Sequence, residues 1–195
     1  MKKMTLKDAV KIAMLTAVAT VLFLIKIPLA FIAPPFYELD LSSVASLIGS
    51  FAMGPVAGVI IELLKNLINL LIDGSITGGI GELSNFITSC AFVLPAAIIY
   101  KRNKTKKYAL IGLLCGIIVM TVFGYFSNVY VMLPAYSKAL EMPINAIVSM
   151  GTKIHPSINS VGELVLLCVV PFNIIKGLIV SFVTFVLYKK IRKVL

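Results

Sequence analysis

Lys176 stands inside residues 165–187, a run otherwise made almost wholly of apolar side chains, with Asn173 three residues before it. That spacing puts both side chains on one helix face. A charge at bilayer depth costs about 2.5–3.5 kcal/mol on insertion scales, so it normally faces a bundle interior or a watery cavity. Lys176 is therefore the first candidate to meet a polar solute. Glu62, Lys65, Asn66 and Asn69 form a second polar set at i, i+3, i+4 and i+7, one stripe on one helical face. Two readings of it stand: a local Glu62–Lys65 pair that neutralises itself in the bundle, or the lining of a solute pocket or of the path beneath one.

Asn85 and Asn128 complete the set, each near one end of its own apolar stretch. Amides both donate and accept hydrogen bonds, whereas lysine only donates. Such groups suit a neutral, heteroatom-rich solute better than a metal ion, which needs clustered carboxylates or imidazoles. Each asparagine alone is equally accounted for by an interhelical hydrogen bond. Phe36, Tyr37, Phe86, Phe126 and Tyr130 offer flat walls for a pocket, or packing and interfacial anchors.

Catalysis finds little support. His155, the single histidine, sits in a loop beside Pro156 and Ser157, and a Ser–His pair needs an orienting third group. No G-x-x-x-x-G-K-[ST] phosphate loop is present, so the chain carries no evident means of using ATP by itself. No catalytic or metal-ligating residue is assigned, and the reading is not an enzyme. Cys90, Cys115 and Cys168 lie in apolar stretches without metal-ligand spacing and read as packing residues.

The elements that must position these groups follow from composition. The chain has 195 residues, 59% hydrophobic and only 13% charged, against about a quarter charged in an ordinary soluble domain. Its apolar windows of about 20 residues read as membrane-spanning helices, and the period-2 alternation of a membrane barrel is absent. The fold class is an all-α polytopic membrane protein, residues 1–195 forming one domain. Six transmembrane helices are expected, at about 7–31 (kinked at Pro28), 44–53, 55–72, 81–100, 108–133 and 161–187, with the second and third open to a re-entrant reading. The basic start followed by an apolar run resembles a secretory signal, but the run is long for a cleaved one and is kept as the first span.

The formal net charge of +10 concentrates in three clusters, at Lys2, Lys3, Lys7 and Lys11; Lys101, Arg102, Lys104, Lys106 and Lys107; and Lys189, Lys190, Arg192 and Lys193. Basic loops remain in the cytoplasm, so the N- and C-termini are cytoplasmic, and the segments 33–41, 74–79 and 134–160 face outward. The basicity reports topology in the cell membrane, not nucleic-acid binding. Ala9, Ala13 and Ala17 form a stripe at every fourth position, smooth enough for another helix to approach closely in lipid. That helix is either in this chain or in a separate membrane subunit.

The segments Glu38-Leu39-Asp40-Leu41-Ser42-Ser43, Glu62-Leu63-Leu64-Lys65-Asn66, Gly81-Glu82-Leu83-Ser84-Asn85-Phe86, Asn128-Val129-Tyr130 and Pro171-Phe172-Asn173-Ile174-Ile175-Lys176-Gly177 resemble the riboflavin-specific substrate-binding (S) components of energy-coupling factor (ECF) transporters. The resemblance runs through essentially the whole chain in order. It implies a six-helix fold that captures riboflavin outside the cell. It implies as partners a transmembrane coupling subunit, met by alanines such as Ala13 and Ala17, and two cytoplasmic ATPase subunits. It implies substrate contact at Asn128 and Lys176, with the 37–41 loop (Tyr37, Glu38, Asp40, Leu41), the 81–85 region (Gly81, Asn85) and the loop after Pro134 as covers. Tyr130 and Asn173 join them as candidate contacts. Riboflavin is then a transported ligand, not a cofactor, and flavin mononucleotide is left open. The alternatives are an S component for another vitamin, such as thiamine or biotin, or a stand-alone carrier coupled to protons or cations through Glu62 and Lys65.

Overall fold

The computed structural model describes residues 5–75 and 77–191, without the side chains of 189–191. Lys2, Lys3, Arg192 and Lys193 of the basic clusters, and Ile76 of the glycine-rich loop, lie outside the described residues. Helix α1 (Leu6–Leu24) opens on a capping box, in which the Thr5 hydroxyl accepts from the Asp8 N–H and the Asp8 carboxylate accepts from the Thr5 N–H. It is shorter than the 7–31 helix predicted. After Leu24 the chain extends, and β1 (Ile27–Pro28) pairs antiparallel with β2 (Glu38–Leu39). Pro28 therefore lies in a strand and not at a kink, and its missing donor costs least at such an edge.

Helix α2 (Ser43–Met53) is buried along almost its whole length, and its eleven residues reach only about 16 Å. Gly54, at φ 106°, makes the reversal that no L side chain takes comfortably, and Pro55 opens α3 (Pro55–Ile72) at the position where a missing N–H costs nothing. On α3 the polar stripe Glu62, Lys65, Asn66 and Asn69 is buried while Leu63, Leu67, Leu70 and Leu71 are exposed. A helix in water would show the opposite pattern.

Helix α4 (Ile80–Arg102) ends on Lys101 and Arg102, which complement its dipole, and α5 (Lys106–Ser127) is capped by the Thr105 hydroxyl. The two pack very closely: a Cβ placed on Gly112 would lie 2.6 Å from the Ala96 carbonyl oxygen. The sequence predicts that the fifth helix stops near Leu133 because of Pro134. Instead a π turn at Asn128–Met132, in which the Leu133 N–H reaches back to the Asn128 carbonyl, carries it into α6 (Leu133–Ala139). The wider turn accommodates the proline without a break. Helices α7 (Ile144–Thr152) and α8 (Val161–Leu164) follow, then a second π turn at Val165–Val169 and α9 (Val170–Ile191).

Among the described residues, four helical stretches are long and apolar enough to cross a membrane: Pro55–Ile72, Ile80–Arg102, Lys106–Ala139 and Val161–Tyr188. Helix α2 is too short for this test, and α1 carries Lys7, Asp8 and Lys11 in its first turns. The long boundaries at 55–72, 81–100 and 161–187 agree with the sequence reading to within two residues, apart from the C-terminal extension of α9.

Candidate functional site

A cavity of about 430 Å³ opens between the β1–β2 segment, the N-terminal half of α4, the C-terminal part of α5 and α9. It thus lies at the end of the bundle away from the 103–105 connection. Its volume falls within the roughly 300–1,000 Å³ of small-molecule sites. Four rings run in series along one wall: Tyr136 to Phe36 at 5.5 Å between centroids, Phe36 to Tyr37 at 4.8 Å, and Tyr37 to Phe172 at 5.9 Å. Phe23 and Phe92 line it as well. Such a wall suits a planar, partly apolar molecule.

The cavity lining also holds an ion pair. The Lys176 ammonium donates to Asp40 Oδ2 at 2.7 Å, with Asp40 almost wholly buried and Lys176 slightly open to the cavity. The other oxygen, Oδ1, accepts from the Ser42 N–H at 2.9 Å and from the Ser42 hydroxyl. Burial alone would raise the Asp40 carboxyl. The ammonium groups of Lys176 and Lys65, with these hydrogen bonds, outweigh it and hold the group well below the usual carboxylate range. The chain of contacts continues inward, because Lys65 donates to the Ser42 hydroxyl and stands 2.6 Å from Glu62 Oε2, both wholly buried. Glu62, Lys65, Ser42, Asp40 and Lys176 therefore form one line of alternating charge from α3 to α9. Glu62 and Lys65 pair locally, as the first reading of the stripe has it, and only Asn69 of that stripe reaches the cavity lining.

Asparagines supply the remaining polar groups. Tyr37 donates its hydroxyl to Asn128 Oδ1 at 2.6 Å, and Asn128 Nδ2 donates to the Gly124 carbonyl at 2.8 Å. Burial, together with Tyr136 and Cys168 nearby, keeps the Tyr37 phenol far above its ordinary pKa and so a donor. Asn173 Nδ2 and Asn69 Oδ1 are buried and lack a hydrogen-bond partner, although both residues line the cavity. Unsatisfied buried groups cost about 1–3 kcal/mol each, which a bound solute could recover. At the rim, Lys26 donates to Asp73 at 2.6 Å and lies 3.9 Å from Glu38. Burial lowers the Lys26 ammonium, but Asp73, Glu38 and Glu82 more than restore it, so its pKa is raised. Ser75 donates to Glu82, while the Gly79 and Gly81 N–H groups are held by the Ser75 and Thr77 hydroxyls.

Of the residues that the sequence brings forward, Tyr37, Glu38, Asp40, Gly81, Asn85, Asn128, Asn173 and Lys176 line this cavity. Two do not. Tyr130 is 72% exposed and stacks near-parallel on Phe126, also exposed. Asn128 points inward, and a residue two positions on faces another way. Leu41 packs into the hydrophobic cluster around Val44 and Phe51. Phe86 is likewise outside the lining. Ala9, Ala13 and Ala17 all lie on the exposed face of α1, and His155 and Ser157 are exposed in their loop. Sequence reasoning missed Thr88, Ser89 and Phe92, which follow Asn85 at i+3, i+4 and i+7 on one face of α4 and so carried a readable signal. It also missed Phe23, hidden by the apolar run of α1, Lys26, whose lone charge between residues 12 and 37 was a readable signal, and Tyr136, placed beyond a proline read as a helix stop.

Comparison with known proteins is consistent with this geometry. Residues 3–188 match the family model described as "ECF transporter, substrate-specific component". The chain is 36% identical over 189 residues to the riboflavin transporter RibU of Staphylococcus aureus (strain TCH60), covering 97% of this chain and 92% of that one. It is 30% identical over 190 residues to the riboflavin transporter FmnP of Bacillus subtilis (strain 168), covering 97% and 94%. A solved structure, described under the heading "Structure and mechanism of the S component of a bacterial ECF transporter", superposes with a TM-score of 0.76 at 36% identity over 96% of each chain.

Proposed function

The chain belongs to the substrate-specific components of ECF transporters, and from that membership we propose that it captures riboflavin and delivers it to an ATP-driven importer. It is a multi-pass protein of the cell membrane, and its family is one of transporters rather than enzymes. The observation that carries the ligand assignment is the cavity itself, whose lining combines a chain of aromatic rings with Lys176, Asn128 and Asn173 at one end of the bundle. The isoalloxazine ring is flat, with carbonyl and N–H edges. It slides against Tyr37 and Phe172 while Lys176, Asn128 and Asn173 meet its polar edge. The ribityl hydroxyls extend toward Gly81, Asn85 and Glu38 at the rim.

Asp40 acts differently from the direct contact that the sequence suggests. Both of its oxygens are engaged by the protein, so its part is to orient Lys176, whose other two N–H donors remain for the ligand. The six-span topology is completed by α1 and the buried α2, in one domain, with both termini and the 101–107 segment cytoplasmic and the cavity open to the outside. The charge distribution supports this orientation.

A coupling subunit and two ATPases complete the importer, with Ala9, Ala13 and Ala17 as the docking face of α1. Uptake of labelled riboflavin into vesicles tests this reading against an ion-coupled carrier. Vesicles holding this chain alone should show binding without accumulation, and adding the coupling and ATPase subunits with ATP should produce accumulation. Accumulation driven by an ion gradient in the chain alone would favour the carrier. A bulky Ala13→Leu or Ala17→Leu variant should lose assembly and uptake while keeping ligand affinity.

A further inference from the structure

Ser42 and Lys65 are wholly buried and neither lines the cavity, yet both bear on the carboxylate that holds Lys176. The Ser42 hydroxyl has one proton and donates it to Asp40 Oδ1. Its contact with Lys65 therefore runs the other way, the ammonium donating to the hydroxyl oxygen. Lys65 is itself placed by Glu62 Oε2, 2.6 Å away and three residues earlier on α3. The order of donors is thereby fixed: Lys65 to Ser42, Ser42 to Asp40 Oδ1, and Lys176 to Asp40 Oδ2 at 2.7 Å. The Ser42 N–H, at 2.9 Å, is the only other group bonded to Oδ1 among the described residues.

We propose that Ser42 and Lys65 are positioning residues for ligand capture: without touching the ligand, they fix the plane of the Asp40 carboxylate, and so the direction in which Lys176 presents its remaining N–H donors. The inference rests on the riboflavin reading above and adds two residues to that site. Without the Ser42 hydroxyl, Oδ1 keeps a single backbone donor, and Lys65 loses the group that links it to Asp40. The carboxylate is then free to turn about its Cβ–Cγ bond. The Lys176 ammonium turns with it, because a charge-assisted bond of that length is the strongest tie the lysine has. Loss of a hydroxyl leaves every charge in place, so what the site loses is direction and not field.

The test is a double-mutant cycle, read by quenching of flavin fluorescence on the purified full chain, with thermal unfolding measured on each variant. Ser42→Ala should weaken riboflavin binding about fivefold. In a Lys176→Met background the same substitution should change Kd by less than about twofold, since the lysine it positions is gone. Ser42→Thr, which keeps the hydroxyl, should restore most of the affinity. The paired variant Glu62→Gln with Lys65→Met removes the far end of the line while sparing much of the stability, and it should still bind several-fold more weakly. Unaltered affinity in Ser42→Ala overturns the proposal. So does an equal loss with and without Lys176, which a general packing defect would produce. Ser42→Thr binding as weakly as Ser42→Ala at an unchanged unfolding temperature overturns it too, and a paired variant that binds like the unaltered chain removes Lys65 from it. Failure of the unaltered chain to bind riboflavin would instead remove the functional reading itself.

Discussion

Lys176 and Asp40, separated by 136 positions in the chain, meet at 2.7 Å beside the cavity. The contact joins α9 to the loop ahead of α2, and it decides what the lysine can offer a ligand. A free ammonium would attract anions. A lysine tethered to a buried carboxylate presents directed N–H donors with little net charge.

Removing the lysine should weaken riboflavin binding. Lys176→Ala or Lys176→Met takes a donor from a buried acceptor on the ligand, a loss of about 1–3 kcal/mol, or roughly 5- to 150-fold in Kd. Asp40→Asn keeps the shape but frees the ammonium, so it should weaken binding less than loss of the lysine. Titration of both variants checks the order. Unchanged affinity in Lys176→Met would place the lysine outside the site.

The same pair fixes a pH dependence. The native Asp40 carboxyl titrates below its ordinary value, so the stability it contributes is complete above the unfolded carboxylate pKa of about 4. That contribution is lost only as pH falls through the depressed native value. Riboflavin affinity should therefore be level from about pH 8 to pH 5. A midpoint inside that window would mean that Asp40 is not held as an ion.

Glu62 and Lys65 make a stability prediction. Both are wholly buried, and Lys65 also lies 5.1 Å from the centre of the Phe23 ring. Lys65→Met leaves Glu62 charged and unpaired, at a cost of about 3–5 kcal/mol. The double variant Glu62→Gln with Lys65→Met should recover much of that loss. Thermal unfolding in detergent gives the comparison, and a double variant no better than the single one would contradict the pairing.

Gly124 offers a test of the cavity wall that touches no charge. A Cβ there would lie 2.7 Å from Asn173 Nδ2, so Gly124→Ala must push that amide aside. Riboflavin affinity should fall several-fold with little change in unfolding temperature, because the displaced group is the end of a side chain. Unaltered affinity would show that Asn173 takes no part in binding.

Much of this architecture was legible from pattern. The 55–72 helix announced itself by a polar stripe among leucines, and the 161–187 helix by length and apolarity around Lys176. The end of α1 was not legible, since the residues after Leu24 remain as apolar as those before it and only the pairing of Ile27–Pro28 with Glu38–Leu39 stops the helix. The direction of Tyr130 was hidden for a similar reason. Its neighbour Asn128 begins a π turn, and such a turn shifts the phase of the faces that follow it. The Lys176–Asp40 pair is a contact between distant segments, and no spacing in the chain encodes it. Asn85 fared better: one helical turn places it, and the same face carries Ser89 one turn on and Phe92 two turns on.

The most direct test of the central claim is a titration of the purified chain with riboflavin, followed by flavin fluorescence and absorbance. We expect saturation at one riboflavin per chain, with quenching of the flavin as its ring stacks on Tyr37 and Phe172. An absence of saturable binding, or equal binding to a Lys176→Met, Asn128→Ala double variant, would contradict the account.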